Sequence, residues 1–98
     1  MTPHFEFDWD PAKARANVAK HGISFEEAMA VFLDPLALSR PDPDSSQIQE
    51  RWITMGLAAP GLTLVVHTHV EIDDNRIYIR VISARRPTGN ERRQYEQG

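Results

Sequence analysis

Apolar and polar residues alternate most clearly from Leu62 to Ala84, LTLVVHTHVEIDDNRIYIRVISA. Val, Ile and Thr dominate this stretch; their stiff χ1 angles suit a pleated surface, so it predicts two β-strands. Asp73, Asp74 and Asn75 tolerate the positive φ that a short hairpin loop asks for. With Asp73-Asp74 as the loop, Glu71 is expected opposite Arg76, His69 opposite Tyr78 and His67 opposite Arg80. Side chains alternate along a strand, so these six share one polar side. Leu64, Val66, Val70, Ile77, Ile79 and Val81 fall on the other.

Phe5 to Trp9 alternates in the same way and predicts a short first strand. Asp10-Pro11 reads as an N-cap followed by proline in the first turn, opening a helix to about Lys20, and Gly22 suits the left-handed position beyond its end. Ser24-Phe25-Glu26-Glu27 is a capping box, with Ile23 placed to staple onto Ala28. Helical spacing of Phe25, Ala28, Met29, Phe32 and Leu33 extends this second helix to Leu33, where Asp34-Pro35 stops it. A short strand is expected over Ala37–Arg40, an acidic loop over Pro41–Ser46 and a strand over Gln49–Leu57. Pairing Leu57 with Leu62 sets Trp52 opposite His67 and Glu50 opposite His69. Pro87 closes the last strand, and Thr88-Gly89-Asn90-Glu91 caps a final helix running to about Glu96. The pattern predicts an α+β fold: two N-terminal helices packed on one face of a small antiparallel sheet, with a C-terminal helix. The helix pair is expected to cover Ile53, Met55, Leu64, Val66, Ile79 and Val81.

Ninety-eight residues with 41% apolar side chains fit one domain, residues 1–98. Cysteine is absent, which excludes a disulfide framework and thiolate chemistry. Neither a secretory signal nor a membrane-length apolar run is visible, so a cytoplasmic protein with no membrane partner is expected. The net charge of −3 argues against a general nucleic-acid coat. Its distribution changes the picture. Residues 1–75 carry five basic and twelve acidic side chains, whereas residues 76–98 carry six arginines against Glu91 and Glu96. Arginine without lysine suits bidentate phosphate contacts.

A base, a phosphate-binding cation and an acid for the leaving oxygen suffice to cleave RNA without metal, through attack of the ribose 2′-OH on the adjacent phosphorus. The polar side offers Glu50 or His67 as base, Arg80 and Arg85 as the phosphate clamp, and a His or Tyr as acid. Trp52 and Tyr78 can stack on unpaired bases, and Arg51 and Arg92 add cations for RNA. Two other readings compete. His67-x-His69 with Glu50 or Glu71 has the makings of a metal site, although a bare HxH is a weak signal. Exposed Trp52 and the basic helix alternatively make a binding module without chemistry.

Phe7-Asp8-Trp9-Asp10, Lys13-Ala14, Asn17, Lys20-His21-Gly22-Ile23-Ser24-Phe25-Glu26-Glu27-Ala28 and Phe32-Leu33-Asp34-Pro35 resemble the N-terminal signature of the BrnT toxins. Glu50-Arg51 with Gly56 resembles their central strand. Arg80-Val81-Ile82-Ser83-Ala84-Arg85, Glu91-Arg92 and Tyr95 resemble their C-terminal signature. The resemblance implies a type II toxin of the RelE/ParE-like superfold, a metal-independent, cofactor-free endoribonuclease that inhibits translation and is neutralised by a BrnA-like antitoxin. It implies roles for Arg80, Arg85 and Tyr95, with Glu50 where some relatives keep a carboxylate base. Pro87 departs from the family pattern, where a small residue is more usual. Nothing in the sequence tells whether the ribosome takes part.

Overall fold

The computed structural model describes residues 3–44 and 50–98, and they form six strands, three α-helices and one 3₁₀ segment. Strand β1 (His4–Asp8) leads into α1 (Pro11–His21), α2 (Phe25–Ala28) and the 3₁₀ segment Met29–Leu33. There follow β2 (Leu38–Pro41), β3 (Trp52–Ala58), β4 (Gly61–His67), β5 (Val70–Asp73), β6 (Arg76–Arg85) and α3 (Gly89–Gln97). The expected starts at Gln49 for β3 and the loop end at Ser45-Ser46 lie outside the described residues.

Local chemistry sets the helix ends as anticipated. The Asp10 carboxylate accepts the Ala12 N–H at 2.8 Å, and Gly22 ends α1 at φ 72° while its N–H returns to Val18. Capping boxes close reciprocally at Ser24–Glu27 and at Thr88–Glu91. Buried Asn17 then ties α1 to the sheet. Its amide donates to the Ile23 and Ala84 carbonyls at 2.9 and 2.8 Å, and its oxygen accepts the Ala84 N–H.

The sheet corrects the expected architecture. It is six-stranded and mixed, ordered β1-β6-β4-β3-β2, with β5 also paired to β6. The first strand joins parallel to β6, His4 beside Arg76 and Asp8 beside Arg80. Such a pairing spans about seventy residues of chain, and local alternation carries no record of it. The second helix is also shorter than expected: one α-turn, then 3₁₀. So the expectation of two N-terminal helices on a small antiparallel sheet, the RelE-like arrangement, does not hold. The close approach of the 3₁₀ segment to β3 requires Gly56, where a Cβ would stand 3.0 Å from the Val31 carbonyl oxygen.

A further correction concerns the faces. The β3–β4 register is as expected, with Trp52 opposite His67 and Leu57 opposite Leu62. The β4–β6 register shifts between Val66 and His67, because Ser83 faces Val66 while Val81 faces His67, leaving Ile82 as a bulge. Each such extra residue reverses which side a strand presents. Val65, Ile79, Val81 and Ala84 therefore pack together with Ile23, Phe25, Ala28 and Val31 beneath the helices. Leu64, Met55 and Ile53 lie instead on the opposite side, lining a cleft with Glu91 and Gln94 of α3. The hairpin turn is shifted too: Asp73 pairs with Arg76, and no non-glycine residue among those described has positive φ. An Asp73 carboxylate oxygen accepting the Asn75 N–H at 2.9 Å shapes that turn instead. Among the described residues no helix is long and apolar enough to cross a membrane.

Candidate nucleic-acid interface

Ile79 and Val81 are buried under the helices, so alternation turns Tyr78 and Arg80 to the other, open side of β6. Asp8 reaches the same side from β1, as Arg80's parallel neighbour. Its Oδ2 accepts the Tyr78 hydroxyl at 2.7 Å and an Arg80 Nη1–H at 2.6 Å. The Tyr78 hydroxyl, then the Trp9 N–H and the Arg80 guanidinium, hold the Asp8 carboxyl below the usual carboxylate range. Arg80 is held above the ordinary arginine value by Tyr78 and Asp8. Its backbone is anchored as well, the N–H to Thr68 Oγ1 and the carbonyl to the Thr68 N–H, both at 3.0 Å. The Arg80 side chain is nonetheless 40% exposed. Sequence reasoning missed Asp8, although Phe5-Glu6-Phe7-Asp8 alternation already put Glu6 and Asp8 on one polar side.

Arg85 sits farther along the same face, but its fork is occupied. Nη1 and Nη2 donate to the two Glu91 carboxylate oxygens at 2.9 and 3.0 Å. That pairing, first, and the Thr88 N–H bring Glu91 down to about 2 despite its partial burial. The same carboxylate caps α3, so Arg85 fixes the start of that helix. Tyr95, near the other end of α3, donates its hydroxyl to Asp34 Oδ2 at 2.6 Å. Asp34 also accepts the Leu36 and Leu57 N–H groups, at 2.9 and 2.8 Å. Tyr95 thus latches α3 across the β2–β3 edge, away from Arg80, and Asp34 raises its phenol above the ordinary value.

His67 is placed where the open-face expectation did not put it. It is 2% exposed, against the Phe32 ring on the helix-covered side. Its Nδ1 lies 2.7 Å from the Thr68 carbonyl, which can only accept, so Nδ1 carries the proton. Nε2 then accepts from Thr54 Oγ1 at 2.7 Å, and Thr54 in turn meets Ser39 Oγ at 2.7 Å. Burial is the main cause that lowers His67 to about 4, with the neighbouring His69 charge adding to it. His69 is exposed beyond the end of β4, its ring 6.0 Å from Trp52, so the two imidazoles do not converge. Among the described residues no group of three or more His, Asp or Glu is arranged to hold a metal.

The remaining candidates are scattered. Glu50 is exposed just ahead of β3, and Arg92 is exposed on α3. Trp52 is half-buried beside His69, on the His67 side of β3 by register. Arg51 is half-buried, with a buried Nε that meets no hydrogen-bond partner among the described residues.

The open side of the sheet thus presents a guanidinium, a phenol and a carboxylate held to one another. Residues 9–91 match the family described as "Ribonuclease toxin, BrnT, of type II toxin-antitoxin system", and the chain belongs to that family. Its class is therefore the ribonuclease toxin, with an antitoxin partner and an RNA target. A comparison with curated proteins found no match.

Proposed function

We propose that the chain, as one toxin domain, is a metal-independent endoribonuclease that cuts RNA by 2′-OH attack, halts translation in the cytoplasm and is neutralised by a BrnA-like antitoxin. The observation that carries this reading is Arg80 on the open face, held through Asp8 and Thr68 yet still 40% exposed. A positioned guanidinium of this kind binds the scissile phosphate and stabilises the charge that builds on its oxygens in the transition state. In the step itself the 2′-oxygen bonds to phosphorus and the 5′-oxygen leaves, producing a 2′,3′-cyclic phosphate and a free 5′-hydroxyl.

For the base we keep Glu50, an exposed carboxylate ahead of β3 and so not bound to either face by strand alternation. Asp8 is nearer to Arg80, but three donors saturate it and hold it ionised, which makes it a weak proton acceptor and a good orienting group. His67 is excluded from the role by its burial and by the use of both ring nitrogens. Tyr78 is the phenol beside Arg80 and the acid we assign for the leaving oxygen, its hydroxyl turning from Asp8 to donate there; Tyr95 and Arg85 secure α3 at the rim. Arg51, Trp52 and Arg92 are left as outer RNA contacts.

The test is incubation of the purified chain with single-stranded RNA, with and without EDTA, beside the Arg80→Ala variant. Cleavage is expected in both tubes, with cyclic phosphate ends, and Arg80→Ala should cut roughly 10²-fold more slowly while melting at the same temperature. Loss of cleavage in EDTA would overturn metal independence. Unchanged cleavage by Arg80→Ala would remove Arg80 from the site.

A further inference from the structure

The outer edge of β1 is the part of the sheet that the fold leaves unguarded. His4 donates its N–H to the Asn75 carbonyl at 2.7 Å, in the parallel ladder with β6. Backbone direction alternates along a strand, so the N–H and C=O groups of Phe5 and Phe7 point outward, where among the described residues no strand lies. Other edges carry protection: β2 has Arg40 and Pro41, and β5 is four residues long with a bulge and two acids. The charged residues of β1 do not serve this purpose, because Glu6 and Asp8 are folded onto the open face by Arg76 and Arg80.

Beside this edge runs an apolar groove of about 480 Å³, bounded by Phe5, Phe7, Met29, Ala30 and Leu33, with Glu26 in its wall. Leu33 is 73% exposed, an unusual state for a leucine at the end of a packed 3₁₀ segment. Unpaired backbone groups next to an apolar trough are the two requirements for strand addition: the ladder gives affinity, and alternate side chains enter the trough.

We infer that the β1 edge and its groove dock an extended segment of the antitoxin, with apolar residues at alternate positions and a lysine or arginine meeting Glu26. The inference rests on the toxin reading above, which requires a protein partner. Charge decides against a second copy of the chain. Its β1, His4–Asp8, carries no lysine or arginine to meet Glu26.

Hydrogen exchange on the antitoxin complex is the direct test, read at the Phe5 and Phe7 amides. They should exchange freely in the isolated chain and slow roughly 100-fold in the complex with the cognate antitoxin. Glu26→Lys and Leu33→Lys, both at exposed positions, should each weaken antitoxin binding by about tenfold or more and leave RNA cleavage unchanged. Equal exchange at Phe5 and Phe7 in both states, or full affinity in both variants, would overturn the docking site. So would a free chain that is dimeric by light scattering with those two amides already protected. A chain that neither cuts RNA nor stops growth would defeat the toxin reading instead, and the exchange pattern would still judge the groove.

Discussion

At the scale of single residues, His67 shows how a plausible catalytic group is turned into a structural one. A histidine two residues from another, in a strand facing arginine, has the composition of a ribonuclease site. One bulge and the end of β4 put it under Phe32 instead, between Thr54 and the Thr68 carbonyl. That position admits only the neutral ring, and its value falls from 6.5 to about 4. Below pH 6.5 the unfolded chain takes up a proton that the native chain refuses. The resulting stability is complete above pH 6.5 and is lost as pH falls toward 4, by roughly 3 kcal/mol. Urea unfolding of the wild type and His67→Gln across this window measures it. The variant should be less stable at neutral pH and show a flatter dependence; parallel curves would mean that His67 is not the titrating group.

At the scale of elements, capping residues were legible and face assignment was not. Asp10, Gly22, the two capping boxes and the Trp52–His67 register follow from short-range chemistry, in which each side chain satisfies a backbone group a few positions away. The bulge at Ile82 and the parallel seat of β1 are settled by contacts far apart in sequence, and one added residue inverts every side chain after it. Arg80 and Tyr78 could still be read as open-face residues, since both lie before the bulge. Leu64 and Val66 could not be assigned to their face, since β4 meets β6 beyond it. Asp34 was read only as a helix stop, yet it ties the turn before β2 to β3 and α3 by accepting from Leu36, Leu57 and Tyr95. Tyr95→Phe should therefore speed amide exchange in α3 by roughly tenfold with little effect on β6. Asp34→Ala, which also strips the Leu57 N–H of its acceptor, should lower the melting temperature further. Unaltered exchange in α3 after Tyr95→Phe would show that the Arg85–Glu91 pair alone holds the helix.

At the scale of the whole molecule, an acidic protein has to bind a polyanion through one local field. The sequence places −7 in residues 1–75 and +4 in residues 76–98, and folding sets the Arg80 and Arg85 of that basic end on the open side of β6. Asp8 and Glu91 partly neutralise those two arginines, so in the proposed role the face orients phosphate more than it attracts it from a distance. This distinction has a measurable form. Each phosphate neutralised on single-stranded RNA contributes about −0.7 to the slope of log affinity against log salt. Contact through Arg51, Arg80 and Arg92 alone gives a slope near −2, and Arg80→Ala should reduce it by about 0.7. A basic coat that also engaged Arg85, Arg86 and Arg93 would be about twice as steep. Filter binding of a short RNA to Glu50→Gln, the variant that lacks the proposed base, from low to moderate salt, separates the two. A slope of about −4 that Arg80→Ala leaves untouched would move the interface from the β6 face to the exposed side of α3.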